Sequence, residues 1–199
     1  MNKIITIGRE FGSGGREFGK RLSEELQIAY YDQEIISEIA KRTSLSEQYV
    51  KSITEQRPIL SFPIHTGRSF YPLGNPVLQQ NCSLYYEQQK IITEMAKKSD
   101  CIIVGRCADY ILKEDKPFRI FVYADMESKI KRCREKATEQ EHLSDKELRQ
   151  HIMEIDKRRA KYYSFFADRK WGDKSNYDLC INTTYVNIKD ITQGIAKMF

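Results

Sequence analysis

No apolar run in this chain approaches membrane-spanning length, and there is no internal repeat and no low-complexity segment. A helical membrane protein, a repeat solenoid and a disordered linker are therefore set aside. Only Met1, Asn2 and Lys3 precede the first apolar stretch, so no signal peptide is expected. The five cysteines (Cys82, Cys101, Cys107, Cys133, Cys180) are odd in number and lack the spacing of a metal site. Cys101 and Cys180 fall in apparent strand cores, and reduced, buried thiols in a cytoplasmic protein are the expectation. The net charge of +5 comes from basic residues scattered among acidic ones. A nucleic-acid binder would gather them into one patch, so neither nucleic acid nor membrane is expected as a partner. With 199 residues, 40% hydrophobic and 31% charged, the sequence suits one globular domain (1–199) with a substantial core.

What the chain does have is concentrated at its start. Ile4-Ile5-Thr6-Ile7 runs into Gly8-Arg9-Glu10-Phe11-Gly12-Ser13-Gly14-Gly15-Arg16-Glu17, and Phe18, Leu22 and Leu26 then recur with helical spacing. A strand, a glycine loop and a helix start in that order aim backbone N–H groups and the positive end of a helix dipole at one point, which makes an anion site. Glycines let the backbone close round a phosphate where a side chain would stand in the way. The string is not the consensus phosphate loop Gly-x4-Gly-Lys-Ser/Thr. Gly15 falls where the lysine should be, Arg16 and Glu17 follow without a hydroxyl for Mg²⁺, and the loop is one residue longer from Gly8.

Along the chain, Leu26 to Tyr31 leads into a short strand, and Asp32 is placed as the cap of a helix bearing Ile35, Ile36, Ile39 and Ala40. Ser46 opens a further short helix. Residues 56–76 hold four of the five prolines without any regular period, the pattern of a functional or mobile loop or of an ordinary surface excursion. A long helix from Val77 to Lys98 precedes Cys101-Ile102-Ile103-Val104, an unbroken apolar run that suits a strand buried on both faces. Arg106 and Asp109 follow at its C-terminal end, where open α/β sheets hold ligands. Phe118 to Tyr123 and Tyr177 to Asn182 read as strands. Ser144-x-x-Glu147 is a capping box opening the helix through Phe166, and Ile188 to Met198 is a closing helix. Alternation of this kind predicts an α/β fold, a five-stranded parallel sheet with helices on both faces in three layers.

The order and spacing of Gly12-Ser13-Gly14-Gly15-Arg16-Glu17, Tyr31-Asp32, Gly105-Arg106, Arg132, Asp156-x-x-Arg159 with Tyr162-Tyr163, and Tyr177-Asp178-Leu179 through Asn182-Thr183 resemble the cytidylate-kinase-like proteins, within the nucleoside monophosphate kinases. The resemblance implies a P-loop kinase fold with a helical monophosphate-binding insert (33–98) and a helical lid (132–159). It implies ATP and Mg²⁺ as cofactors and a nucleoside monophosphate as acceptor, CMP or dCMP first. ATP would lie on Gly12, Ser13, Gly14, Gly15, Arg16 and Glu17. Asp32, Arg106 and Asp109 would face the acceptor, with Arg106 on its phosphate. Arg132 and Arg159, with Arg158 as the alternative to Arg159, would serve the transfer.

Solvated helix charges are the competing reading of Arg132, and pairing with Glu154 or Asp156 that of Arg158 and Arg159. After Asp32 the family's Asp-x-Gly-x-x-Tyr-Arg is absent, so Arg42, Arg57 or Arg68 are the candidates to replace its arginine. Arg16 or Lys20 are the candidates to supply the missing loop charge. A catalytically weak nucleotide-binding module, or a kinase of another small molecule, stands as the alternative function.

Overall fold

The protein is described here from a computed structural model covering residues 2–55, 76–136 and 143–199. Five strands, β1 (Ile4–Arg9), β2 (Ala29–Tyr31), β3 (Cys101–Val104), β4 (Phe118–Tyr123) and β5 (Leu179–Asn182), form one sheet in the order β2-β3-β1-β4-β5. All four pairings are parallel, with Ile4 opposite Cys101, Ile5 opposite Phe118, Ala29 opposite Cys101 and Ile120 opposite Leu179. Parallel neighbours need crossovers, and the helices supply them: α1 (Gly15–Leu26), α2 (Glu34–Thr43), α3 (Glu47–Glu55), α4 (Pro76–Lys98), α5 (Ala108–Ile111), α6 (Met126–Lys136), α7 (Asp145–Ala167) and α8 (Ile188–Ala196).

The period-two alternation of strand side chains divides the core into two layers. Ile4, Cys101 and Ile103 face Ile35, Ile36, Ile39, Ile91 and Ile92 of α2 and α4. Ile5, Ile7, Ile102, Val104, Ile120 and Val122 face Phe18, Leu22, Ile188 and Ile195 of α1 and α8. With both faces covered, the strands read as the near-continuous apolar runs seen in the sequence. The capping box is present: Ser144 accepts from the Glu147 N–H, and the Glu147 carboxylate accepts from the Ser144 N–H at 2.8 Å.

Two expectations are corrected. Asp32 does not cap α2; the residue before that helix is Gln33, which makes no side-chain cap. Asp32 is instead buried and turned toward Arg16 and Arg9, because two nearby guanidiniums outbid one turn of amides for its charge. Cys180 is exposed, not buried, because β5 is an edge strand. Residues 56–75 and 137–142, with Arg57 and Arg68 among them, lie outside the described residues, and the expectation of a functional or mobile loop there lies outside them too. Among the described residues no helix is long and apolar enough to cross a membrane.

Candidate functional site

The turn between β1 and α1 carries left-handed backbone at Gly12 (φ 74°) and Gly14 (φ 80°). A side chain at Gly14 would put its Cβ 2.3 Å from Cδ1 of Ile188, and one at Gly12 would come within 3.0 Å of the Lys129 carbonyl oxygen. Conformation and packing therefore both demand glycine. Helix α1 starts on Gly14 without a side-chain cap, so its first-turn N–H groups are open to an anion. They border a cavity of about 380 Å³ whose far wall includes Arg132, Arg134, Lys136, His151 and Arg159. Gly12, Gly14, Gly15, Arg16 and Glu17 line this cavity. Ser13 is wholly buried: its hydroxyl donates to the Glu10 carbonyl at 2.9 Å, and its own carbonyl accepts from the Thr183 hydroxyl at 2.7 Å.

The second centre is the turn after β3. Gly105, Arg106 and Cys107 are all left-handed (φ 75°, 58° and 54°), a strained run that for the latter two costs about 1–2 kcal/mol each. The buried Gln88 side chain holds it, donating to the Arg106 carbonyl at 2.9 Å. The turn brings Arg106 and Asp109 to a smaller cavity of about 50 Å³, walled by Tyr162, Tyr163, Trp171 and Tyr177. Asp109 accepts from the Tyr163 hydroxyl at 2.5 Å, and burial pushes its carboxyl above the ordinary range.

The two arginines that the sequence could not separate part company. Arg159 lines both cavities, donates to the Arg9 carbonyl at 3.2 Å and lies 3.7 Å from Asp156. Arg158 is 42% exposed at its side chain and pairs with Glu154 at 3.3 Å. Arg132 reaches the Thr183 carbonyl through Nη2, while its Nη1 is buried without a partner among the described residues. Arg42 is engaged with Glu38 and Glu94 at 2.8 and 2.7 Å. Arg16 is held at 2.5 Å by Asp32, and Lys20 is exposed.

Two residues escaped the sequence. Arg9, only 9% exposed at the end of β1, lines both cavities. Its guanidinium is lowered to about 9, first by burial and then by the like charge of Arg159, with Asp32 opposing. The signal that singles out Arg106, a cation at the C-terminal end of a buried strand, was there for Arg9 as well. Lys129 is buried on α6 and bridges Glu10 at 2.6 Å and Asp156 at 3.1 Å. Nothing in its helix distinguishes it from Lys131 by sequence. Arg159, Arg106 and Arg16 thus all bear on Arg9, with the carboxylate of Asp32 opposing them, a balance that suits a polyanion.

The described residues form no all-protein seat for Mg²⁺, so a Mg²⁺ used at this site would be carried on nucleotide phosphates. Arg16 stands at the hydroxyl position of the loop, and among the described residues no three His, Cys, Asp or Glu side chains gather as a metal seat. The cations that line the two cavities include the guanidiniums of Arg9, Arg106, Arg132 and Arg159.

A model of the cytidylate kinase-like family matches residues 4–185. An uncharacterized protein from Eubacterium ventriosum is 29% identical, with 98% of this chain and 97% of that chain aligned at a TM-score of 0.71. A shikimate kinase from Bacteroides thetaiotaomicron is 14% identical over 100% of this chain and 98% of its own, with a TM-score of 0.59. A shikimate kinase from Acinetobacter baumannii, in complex with shikimate, is 14% identical over 100% and 92%, with a TM-score of 0.54. At that identity the two shikimate kinases show the P-loop kinase fold and nothing finer. No curated protein matches the chain.

Proposed function

Because the chain belongs to the cytidylate kinase-like family, we propose that it transfers the terminal phosphoryl group of ATP to a nucleoside monophosphate, with CMP and dCMP the first candidates. One observation carries this: two adjoining cavities, one on the glycine loop and one at the end of β3, share Arg9 and Arg159 as lining residues. Donor and acceptor phosphates placed in them would meet at those side chains. The loop amides and Arg132 would hold the donor, Arg106 the acceptor phosphate, and Arg159 the group in flight. An acceptor phosphate oxygen attacks the γ-phosphorus as the bond to the bridging oxygen breaks, leaving ADP and a nucleoside diphosphate. The acceptor oxygen is already ionised, so the protein's share is positioning, charge neutralisation and exclusion of water. In this reading the α6–α7 hairpin, which carries Arg132 and Arg159, is the lid. Its root is docked by Ile130, Leu148 and Ile152 on Phe11.

A coupled assay of ADP release with ATP and CMP, dCMP, UMP, AMP and GMP tests the proposal. Turnover is expected with at least one of them, cytidylates leading; no turnover with any would sink it. The smallness of the second cavity favours keeping one non-nucleotide acceptor in the panel, shikimate, on which the fold's neighbours act by name. Arg106→Ala should raise KM for the monophosphate by about 30-fold, the equivalent of about 2 kcal/mol for a lost charge-assisted contact. KM for ATP should stay within about threefold, well inside the 1.4 kcal/mol of a tenfold change. Equal shifts on both substrates would remove Arg106 from the acceptor side.

A further inference from the structure

We propose that Arg9 supplies, from the end of β1, the phosphate-gripping cation that a loop lysine supplies in the consensus motif, and that Gly15 and Gly105 are bare to make room for it. Gly15 stands where the consensus lysine would be. A Cβ there would lie 2.5 Å from Cβ of Arg9 and 3.2 Å from Cβ of Val122, so a lysine at 15 and the present Arg9 exclude one another. At the far end of the same side chain, a Cβ on Gly105 would lie 1.8 Å from Nη1 of Arg9. The guanidinium therefore lies across a glycine on the neighbouring strand's turn, and the base of the same side chain, Cβ and Cγ, packs on another at the helix start. Both are places where any side chain would push it aside.

Its charge is met only in part within the protein. Asp32, the acid that faces it, stands 3.7 Å away, and its Oδ1 accepts no hydrogen bond among the described residues. The other carboxylate oxygen is held by Arg16 at 2.5 Å. The remaining charged neighbours, Arg159, Arg106 and Arg16, repel it. A buried cation in that position is stabilised by an anion, and Arg9 borders both cavities, so a phosphate in either is within its field. A planar guanidinium spans two phosphate oxygens where an ammonium meets them as a point charge. The sequence change is thus a relocation: the cation leaves the first turn of α1 for the last residue of β1.

The assignment rests on phosphate transfer at this site, and its test separates the two. Binding of inorganic tripolyphosphate is measured by calorimetry for the wild type, for Arg9→Met, which keeps bulk in the glycine-lined slot, and for Arg149→Ala on the exposed face of α7. Arg9→Met should weaken binding at least about tenfold and Arg149→Ala should leave it unchanged. That result supports Arg9 even if no monophosphate is phosphorylated. Wild-type binding retained in a folded Arg9→Met protein overturns it, even if the enzyme is a monophosphate kinase. A wild type that does not bind tripolyphosphate overturns both. If Arg9→Met fails to fold, a crystal structure of the wild type with tripolyphosphate decides. Arg9 should lie within hydrogen-bond distance of a phosphate oxygen, and a bound anion that leaves it on Asp32 alone overturns the assignment.

Discussion

Arg159→Ala is expected to lower kcat about a thousandfold while leaving KM for either substrate within about tenfold, as for a cation placed on the charge of the transition state. The expectation follows from where the side chain stands. It is 18% exposed, lines both cavities, and is kept from swinging out by the Arg9 carbonyl at 3.2 Å and by the face of Phe11 at 5.7 Å. If the two cavities take donor and acceptor as proposed, a group shared by them gains most when the phosphoryl is between them, and that differential is what speeds a reaction. Asp156, at 3.7 Å, does not cancel it, because that carboxylate already serves Lys129 and the Phe11 N–H. Arg158→Ala is the contrast, with an expected turnover near the wild type, since its side chain pairs with Glu154 among exposed residues. Steady-state kinetics on both variants, with melting temperatures to confirm the fold, reads the difference. A slow Arg158→Ala beside a normal Arg159→Ala would reverse the assignment.

The elements that position this site were legible because each rests on a local rule. The glycine loop shows in its own residues, since only a bare backbone closes on an anion, and β3 shows because a strand buried on both faces must be apolar throughout. The capping box at Ser144 is a contact three residues apart and is therefore written in order along the chain. Side-chain pairings across the fold have no such record. Asp32 looked like a cap because caps are local, whereas its partner Arg16 approaches from another helix. The burial of the Ser13 side chain was not legible, because a glycine loop also has to be packed from beneath, and the hydroxyl of Thr183, from the far end of the chain, does that by donating to the Ser13 carbonyl. Cys180 shares its pattern with core strands, and only the strand order reveals an edge. Arg9 was missed for a different reason. The absence of lysine at position 15 reads as a loss until the structure shows that another side chain occupies that space.

Lys129→Met should destabilise the protein by about 3 kcal/mol, the low end for stripping a buried charge of its partner. For a chain of this size that corresponds to a fall in Tm of about 10 °C. The ammonium is 7% exposed and touches Glu10 of the glycine loop at 2.6 Å and Asp156 of α7 at 3.1 Å. Asp156 in turn accepts the Phe11 N–H at 2.7 Å, and Glu10 accepts the Ala124 N–H at 3.3 Å. One lysine on α6 thus ties the loop, the end of β4 and helices α6 and α7 together, and without it Glu10 loses its buried cation and Asp156 keeps only Arg159 as a cation, at 3.7 Å.

The loss should depend on pH in a defined direction. Burial already pushes the Asp156 carboxyl above its ordinary value of 3.8, with Lys129 among the groups pulling it back. Removing the lysine pushes it further up. A group whose folded value is raised stabilises the fold below its unfolded value, and that stability is lost as pH rises through the folded value. The deficit of Lys129→Met should therefore be full at alkaline pH and should narrow as pH falls into the raised carboxyl's range, as the carboxyl takes up the proton that replaces the ammonium. Thermal denaturation of both proteins across that range measures it. A deficit that does not change with pH, or one under about 1 kcal/mol, would mean that the bridge is solvated and that the loop is held by its packing under Thr183 instead.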